Sequence, residues 1–137
     1  KSSFADNKLV MITADYCIYC QIWENEIGEI IEEFIQDTFG EDSKVLKALN
    51  GKDALAKFGS ENHIDLIFLD IIMPEFNGIK FIETLRTEMA SNTPILVVSA
   101  SVEEAQEKTS KYPNMAYLSK PIMKEEFDQK TSEILKI

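Results

Sequence analysis

Histidine is nearly absent from this 137-residue chain: His63 stands alone. It precedes a strand-like run, where a residue falls on the far end of a sheet, so a Ser-His-Asp hydrolytic triad is excluded by inventory. Glycine is scarce as well, at five residues. No glycine-rich loop follows the first apolar run, which leaves neither a dinucleotide nor a P-loop nucleotide a cradle. The two cysteines, Cys17 and Cys20, are too few for a structural zinc site. Without an export signal they suggest a reducing, cytoplasmic setting. Positive charge is in deficit, with 14 Lys and Arg against 24 Asp and Glu and a formal net charge of −10. That balance argues against direct binding to nucleic acid or to anionic membrane, both of which need basic surface. No apolar run approaches the ~20 residues that span a bilayer.

What is present is ordinary in bulk, 45% hydrophobic and 28% charged, the composition of a soluble globular protein. Residues 1–8 read as a polar N-terminal lead and residues 9–137 as one domain. The chain opens on Lys1 rather than Met, as a piece of a longer protein would. Short apolar runs at residues 9–12, 45–49, 65–70, 95–98 and 115–119 alternate with amphipathic stretches. In the first of these, Ile18, Ile22, Ile27, Ile30, Ile31, Phe34 and Ile35 have the spacing of one helix face, and Gly40 is placed to end it. A short helix begins around Ala54, Leu55 and Phe58. Another, after Gly78, carries Ile79, Phe81, Ile82 and Leu85. The helix from Val102 to about residue 111 is polar and weakly patterned. The last carries Phe127, Thr131, Ile134 and Leu135 on one side. Five strand–helix units predict an α/β fold, a doubly wound five-stranded parallel sheet with helices on both faces.

Ligands of such sheets bind beyond the carboxyl ends of the strands, at the switch point in strand order. The residues at those ends are Thr13-Ala14-Asp15, Asp70, Ser99 and Lys120. Asp70 closes the most apolar run of all, where an unpaired carboxylate costs several kcal/mol or takes up a proton. Carboxylates with neither imidazole nor thiolate beside them suit a hard, oxygen-loving cation such as Mg²⁺. A metal, a lysine and a hydroxyl around a nucleophilic carboxylate are the parts of phosphoryl transfer to Asp70. Singly, each residue has a plainer reading: a turn-forming aspartate, a strand-end serine, a solvated lysine. Jointly, at three separate strand ends, they point to function.

The run L-I-F-L-D-I-I-M-P-E-F-N-G-I-K-F-I resembles the phosphoacceptor segment of response-regulator receiver domains, the CheY-like family of two-component signalling. The resemblance extends over the chain from Leu9. It takes in Ala48-Leu49-Asn50-Gly51 with Ala54-Leu55, the strand ending Ser99-Ala100, and Tyr117-Leu118-Ser119-Lys120-Pro121. It implies the flavodoxin-like strand order 2-1-3-4-5 with five helices, and a signalling switch rather than a turnover enzyme. Asp70 would accept phosphate from a histidine kinase or phosphotransfer protein. Mg²⁺ would be held by Asp15, Asp70 and the carbonyl of Ile72, with Met73-Pro74 and Gly78 shaping the loop. Lys120, its bond to Pro121 cis, would pair with the phosphoryl group. Ser99 would follow a phosphoryl oxygen and Tyr117 would rotate as the aromatic reporter. An output domain, an effector protein or a second copy of the chain would read the result, with no direct contact to nucleic acid or membrane.

The sequence departs from that family at two places. Receivers carry two adjacent acidic residues just after the first strand, and Thr13 and Ala14 stand there. Asp15 follows one residue later, either as the remaining metal ligand or as a cap for the first helix. A pseudo-receiver, an interaction module that is not phosphorylated, is therefore the alternative. The second departure is Cys17-Ile18-Tyr19-Cys20, a C-x-x-C at a helix start of the kind found in dithiol redox modules. Thioredoxin-like folds end in an antiparallel hairpin, however, whereas strand–helix alternation here continues to the end of the chain.

Overall fold

The computed structural model describes residues 9–14, 21–40, 44–47, 51–60, 64–71 and 76–135. Its strands are β1 (Leu9–Ala14), β2 (Lys44–Lys47), β3 (Leu66–Ile71), β4 (Ile95–Ser99) and β5 (Met115–Ser119). Between and after them come α1 (Gln21–Phe39), α2 (Gly51–Ser60), α3 (Phe76–Arg86), α4 (Val102–Thr109) and α5 (Lys124–Leu135). The five strands form one sheet in the order β2-β1-β3-β4-β5, and every pairing is parallel. This is the doubly wound architecture that the alternation predicts.

Strands covered on both faces need apolar side chains at every position. Accordingly none of the eight residues 66–69 and 95–98 is more than 1% exposed. Alternation sends Ile67, Leu69, Ile95 and Val97 into one core with α2, α3 and α4. Leu66, Phe68, Leu96 and Val98 enter a second core with α1 and α5. In that second core Phe127 lies parallel to Phe68 at 5.4 Å between centroids and meets Phe34 edge-on at 5.2 Å. Thr131, one turn further along α5, is buried and donates its hydroxyl hydrogen to the Phe127 carbonyl at 2.8 Å.

Helix α1 buries Ile31, Ile35 and Phe39, four residues apart, as its apolar spacing requires. Ile30 is 40% exposed, a correction to the expected face. Neighbours on a helix differ by ~100°, and with Ile31 buried, Ile30 falls past the edge of the apolar stripe. Gly40 ends the helix with φ 101°, a left-handed conformation in which a Cβ would be strained, and its N–H donates to the Gln36 carbonyl at 3.0 Å. Helix α3 starts at Phe76, three residues before the expected start after Gly78. The glycine lies in the first turn, whose N–H groups need no intrahelical acceptor. Helix α4 stops at Thr109, short of residue 111.

Two polar clusters fasten helices to this frame. Lys124 of α5 contacts both carboxylate oxygens of Asp128, at 2.9 and 2.8 Å, and Asp37 of α1 at 3.1 Å. Thr38 donates to Asp128 at 2.8 Å. At the amino end of the sheet, the buried Arg86 guanidinium donates from Nε to the Pro113 carbonyl at 3.0 Å and from Nη1 to that of Ser91 at 3.0 Å. Its Nη2 donates to the Asn114 carbonyl at 3.2 Å. Burial lowers the pKa of this guanidinium from its ordinary value.

Candidate functional site

The carboxyl ends of the strands are brought level by register. Ala14 of β1 pairs with Asp70 of β3, and Asp70 pairs with Val98 of β4. One residue further, Ile71 pairs with Ser99, and Ser99 with Ser119 of β5. Lys120 follows at once, its N–H donating to the Ser99 carbonyl at 3.1 Å. Adjacent strands are ~4.8 Å apart, so the backbones of Asp70, Ser99 and Lys120 occupy three neighbouring positions along one edge.

Ser99 is completely buried, and its Oγ accepts the Ser101 N–H at 3.0 Å. An accepting hydroxyl still carries a hydrogen to donate. Lys120 is half-buried, and its peptide bond to Pro121 is cis, as expected. Tyr117 of β5 is half-buried beside the core formed with α4, and its hydroxyl is hydrogen-bonded to Thr109 Oγ1 at the end of α4. Asp15 and Ile72 fall outside the described residues, as do Cys17, Cys20 and the Met73-Pro74 dipeptide. Gly78 is in the first turn of α3.

The family model for the response regulator receiver domain matches residues 24–132. The chain belongs to the response regulator receiver family. Among its relatives, the transcriptional regulatory protein MalR of Bacillus subtilis is 34% identical over 107 residues, which are 78% of this chain and 45% of MalR. The receiver therefore spans less than half the length of that relative. Among solved structures, the receiver domain of the Francisella response regulator 1452 superimposes with a TM-score of 0.64 at 28% identity, covering 95% of this chain and 98% of the other. The response regulator TrrA of Thermotoga maritima, solved in complex with Mg²⁺ and BeF, superimposes with a TM-score of 0.70 at 26% identity, covering 93% and 98%.

The acidic donors at this receiver's edge are oxygen atoms, the type that hard cations take. Asp70 is a carboxylate, and the residue that follows its register partner Ala14 in the sequence is a second one, Asp15. Thr13, paired with Leu69, and Ala14 bring no acid to the end of β1. Among the described residues no group of three His, Cys, Asp or Glu could hold a metal. Nor is any described helix long and apolar enough to cross a membrane.

Thr109 and Ser101 escaped the sequence reading. Thr109 shares the buried side of α4 with Ala105, four residues away, so helical spacing carried a signal for it. Ser101 carried none, because it acts through its backbone N–H.

Proposed function

We propose that this receiver is a phosphorylatable switch in which Asp70 is the acceptor. The observation that carries the reading is the shared edge: Asp70, Ser99 and Lys120 lie at the carboxyl ends of three neighbouring strands, and the Lys120 N–H is bonded to the Ser99 carbonyl. A carboxylate oxygen of Asp70 attacks the phosphorus of a phosphohistidine on a kinase or phosphotransfer protein. The P–O bond forms as the P–N bond breaks, and its electron pair leaves on the imidazole, which takes up a proton. Asp70, Asp15 and the Ile72 carbonyl would hold Mg²⁺, which when bound neutralises charge on the phosphoryl oxygens. The Lys120 ammonium pairs with the phosphoryl group, and the Ser99 hydroxyl donates to one of its oxygens. Phosphate adds charge and acceptors at this edge, biasing the β4–α4 connection and Tyr117 between two arrangements that a partner can distinguish. The reading places the protein in the cytoplasm, acting as a switch without turnover and signalling to an output domain, an effector or a second copy.

The protein is incubated with Mg²⁺ and acetyl phosphate, where the bond broken is the acyl P–O bond and acetate leaves. One acid-stable, base-labile phosphate is expected. Asp70→Asn should abolish it while the circular dichroism spectrum stays unchanged. Phosphate persisting on that variant would move the acceptor elsewhere.

A second reading, a pseudo-receiver, is favoured by Thr13 and Ala14 at the end of β1. It makes the opposite forecast: no Mg²⁺ binding at millimolar concentration and no phosphate uptake, with both gained in Thr13→Asp/Ala14→Asp.

A further inference from the structure

Strand β1 is an interior strand, paired with β2 on one side and β3 on the other. The family match nevertheless begins only at residue 24, so Leu9–Ala14 lies outside it. Between the two stands a second run of strand formers, Ile18-Tyr19-Cys20-Gln21-Ile22-Trp23, rich in β-branched and aromatic residues. Its last three residues open α1, a helix of 19 residues with Gly28 in its interior, where glycine is unfavourable. The described contacts that fasten α1 belong to its later half. Ile31, Ile35 and Phe39 are buried, and Phe34, Asp37 and Thr38 meet α5. A helix starting near Glu26 keeps all of these contacts and moves Gly28 into the first turn.

We propose that residues 18–23 exchange with Leu9–Ala14 as the interior strand between β2 and β3, in a minor arrangement of the same chain. The shift is nine residues, so Ile18 takes the place of Leu9 and Trp23 that of Ala14. Strand direction is kept, the ladders to β2 and β3 are remade, and one apolar run replaces another. Each run is followed at once by an acid, Asp15 or Glu24. In both arrangements a carboxylate therefore comes directly after the residue paired with Asp70. Gln21 sets the balance. It would stand at the place of Ile12, in a sheet covered on both faces, where an amide without a partner is unfavourable. The exchange is a two-state element within the sheet, and it holds whether or not Asp70 accepts phosphate.

Hydrogen exchange and urea unfolding of the full chain test it. Gln21→Val removes the amide and favours extended backbone. Amides of residues 10–13 should then exchange roughly tenfold faster, while those of Leu66–Ile71 keep their wild-type rates. Ile12→Pro bars the first run from a strand bonded on both sides. The second run should take over, giving protected amides at residues 19–21 and a cooperative transition within about 1 M urea of the wild type. Ile22→Pro falls in the first turn of α1, where proline is tolerated, and should keep the wild-type midpoint. The two prolines together block both runs and should abolish the transition. An Ile12→Pro chain without a cooperative transition would overturn the inference. So would a double variant as stable as Ile12→Pro alone, or unchanged exchange rates in Gln21→Val.

Discussion

Replacing Arg86 with methionine keeps an unbranched apolar stem and deletes the guanidinium, which separates two opposing effects. The residue is 9% exposed and donates to three backbone carbonyls, at 3.0, 3.0 and 3.2 Å. Hydrogen bonds to a charged group contribute about 1.5–3 kcal/mol each. Against that stands the desolvation of a buried cation, several kcal/mol, which the lowered pKa of Arg86 also reflects. The acceptors are not equally harmed. The Asn114 carbonyl keeps the Ile95 N–H at 3.0 Å, and water can reach exposed Pro113, but Ser91 is half-buried. The net loss should be about 2–3 kcal/mol, below the sum of three bonds. Urea unfolding followed by circular dichroism reads this as a midpoint lower by about 1–2 M at unchanged slope. Arg86→Lys should recover only part of the loss, because an ammonium donates from one point and the carbonyls belong to two separate segments. A methionine variant within about 0.2 M of the wild type, or a lysine variant equal to it, would refute this account of the buried charge.

Asp128→Asn tests the α1–α5 cluster. Burial pushes the Asp128 pKa up, but the hydrogen bonds from Lys124 and Thr38 outweigh it and hold the group below its ordinary 3.8. A carboxylate depressed on folding contributes stability that is present above its unfolded pKa and lost as pH falls through the folded one. The variant should therefore be about 0.5–1 kcal/mol less stable at neutral pH, with the gap closing as the pH is brought well below the ordinary 3.8. Urea midpoints that differ equally at both pH values would contradict it. Phe127→Ala should cost about 3–5 kcal/mol in thermal or urea unfolding, because the ring sits between Phe68 and Phe34 and leaves a cavity when removed. A loss under about 1 kcal/mol would mean that the second core closes over the gap.

The sheet was legible because burial on both faces leaves a signature of consecutive apolar residues, and residues 66–69 and 95–98 carry it without interruption. Gly40 was legible because a helix end needs a left-handed residue. Ile30 was misread because periodicity shows that an apolar stripe exists and not where its edge falls. The strand-end residues could be placed together from topology alone, since parallel order aligns the carboxyl ends whatever the loops do. Arg86 could not be read, because its three oxygen acceptors are main-chain carbonyls at positions 91, 113 and 114, which leave no mark on residue type. The link between Tyr117 and Thr109 was equally hidden. It depends on how α4 lies over β5, which the sequence of neither element specifies.

The bond from the Lys120 N–H to the Ser99 carbonyl continues the β4–β5 ladder one residue past the strand. The spacing between those two residues is thus a ladder dimension, fixed by the same geometry that spaces any pair of strands. Connections elsewhere on this edge can lengthen, shorten or change charge without prying the lysine backbone from the serine backbone. Partner choice and chemistry are thereby uncoupled. Surface segments that a partner would touch are free to diverge, while the two groups that would grip a phosphoryl oxygen stay in register by default.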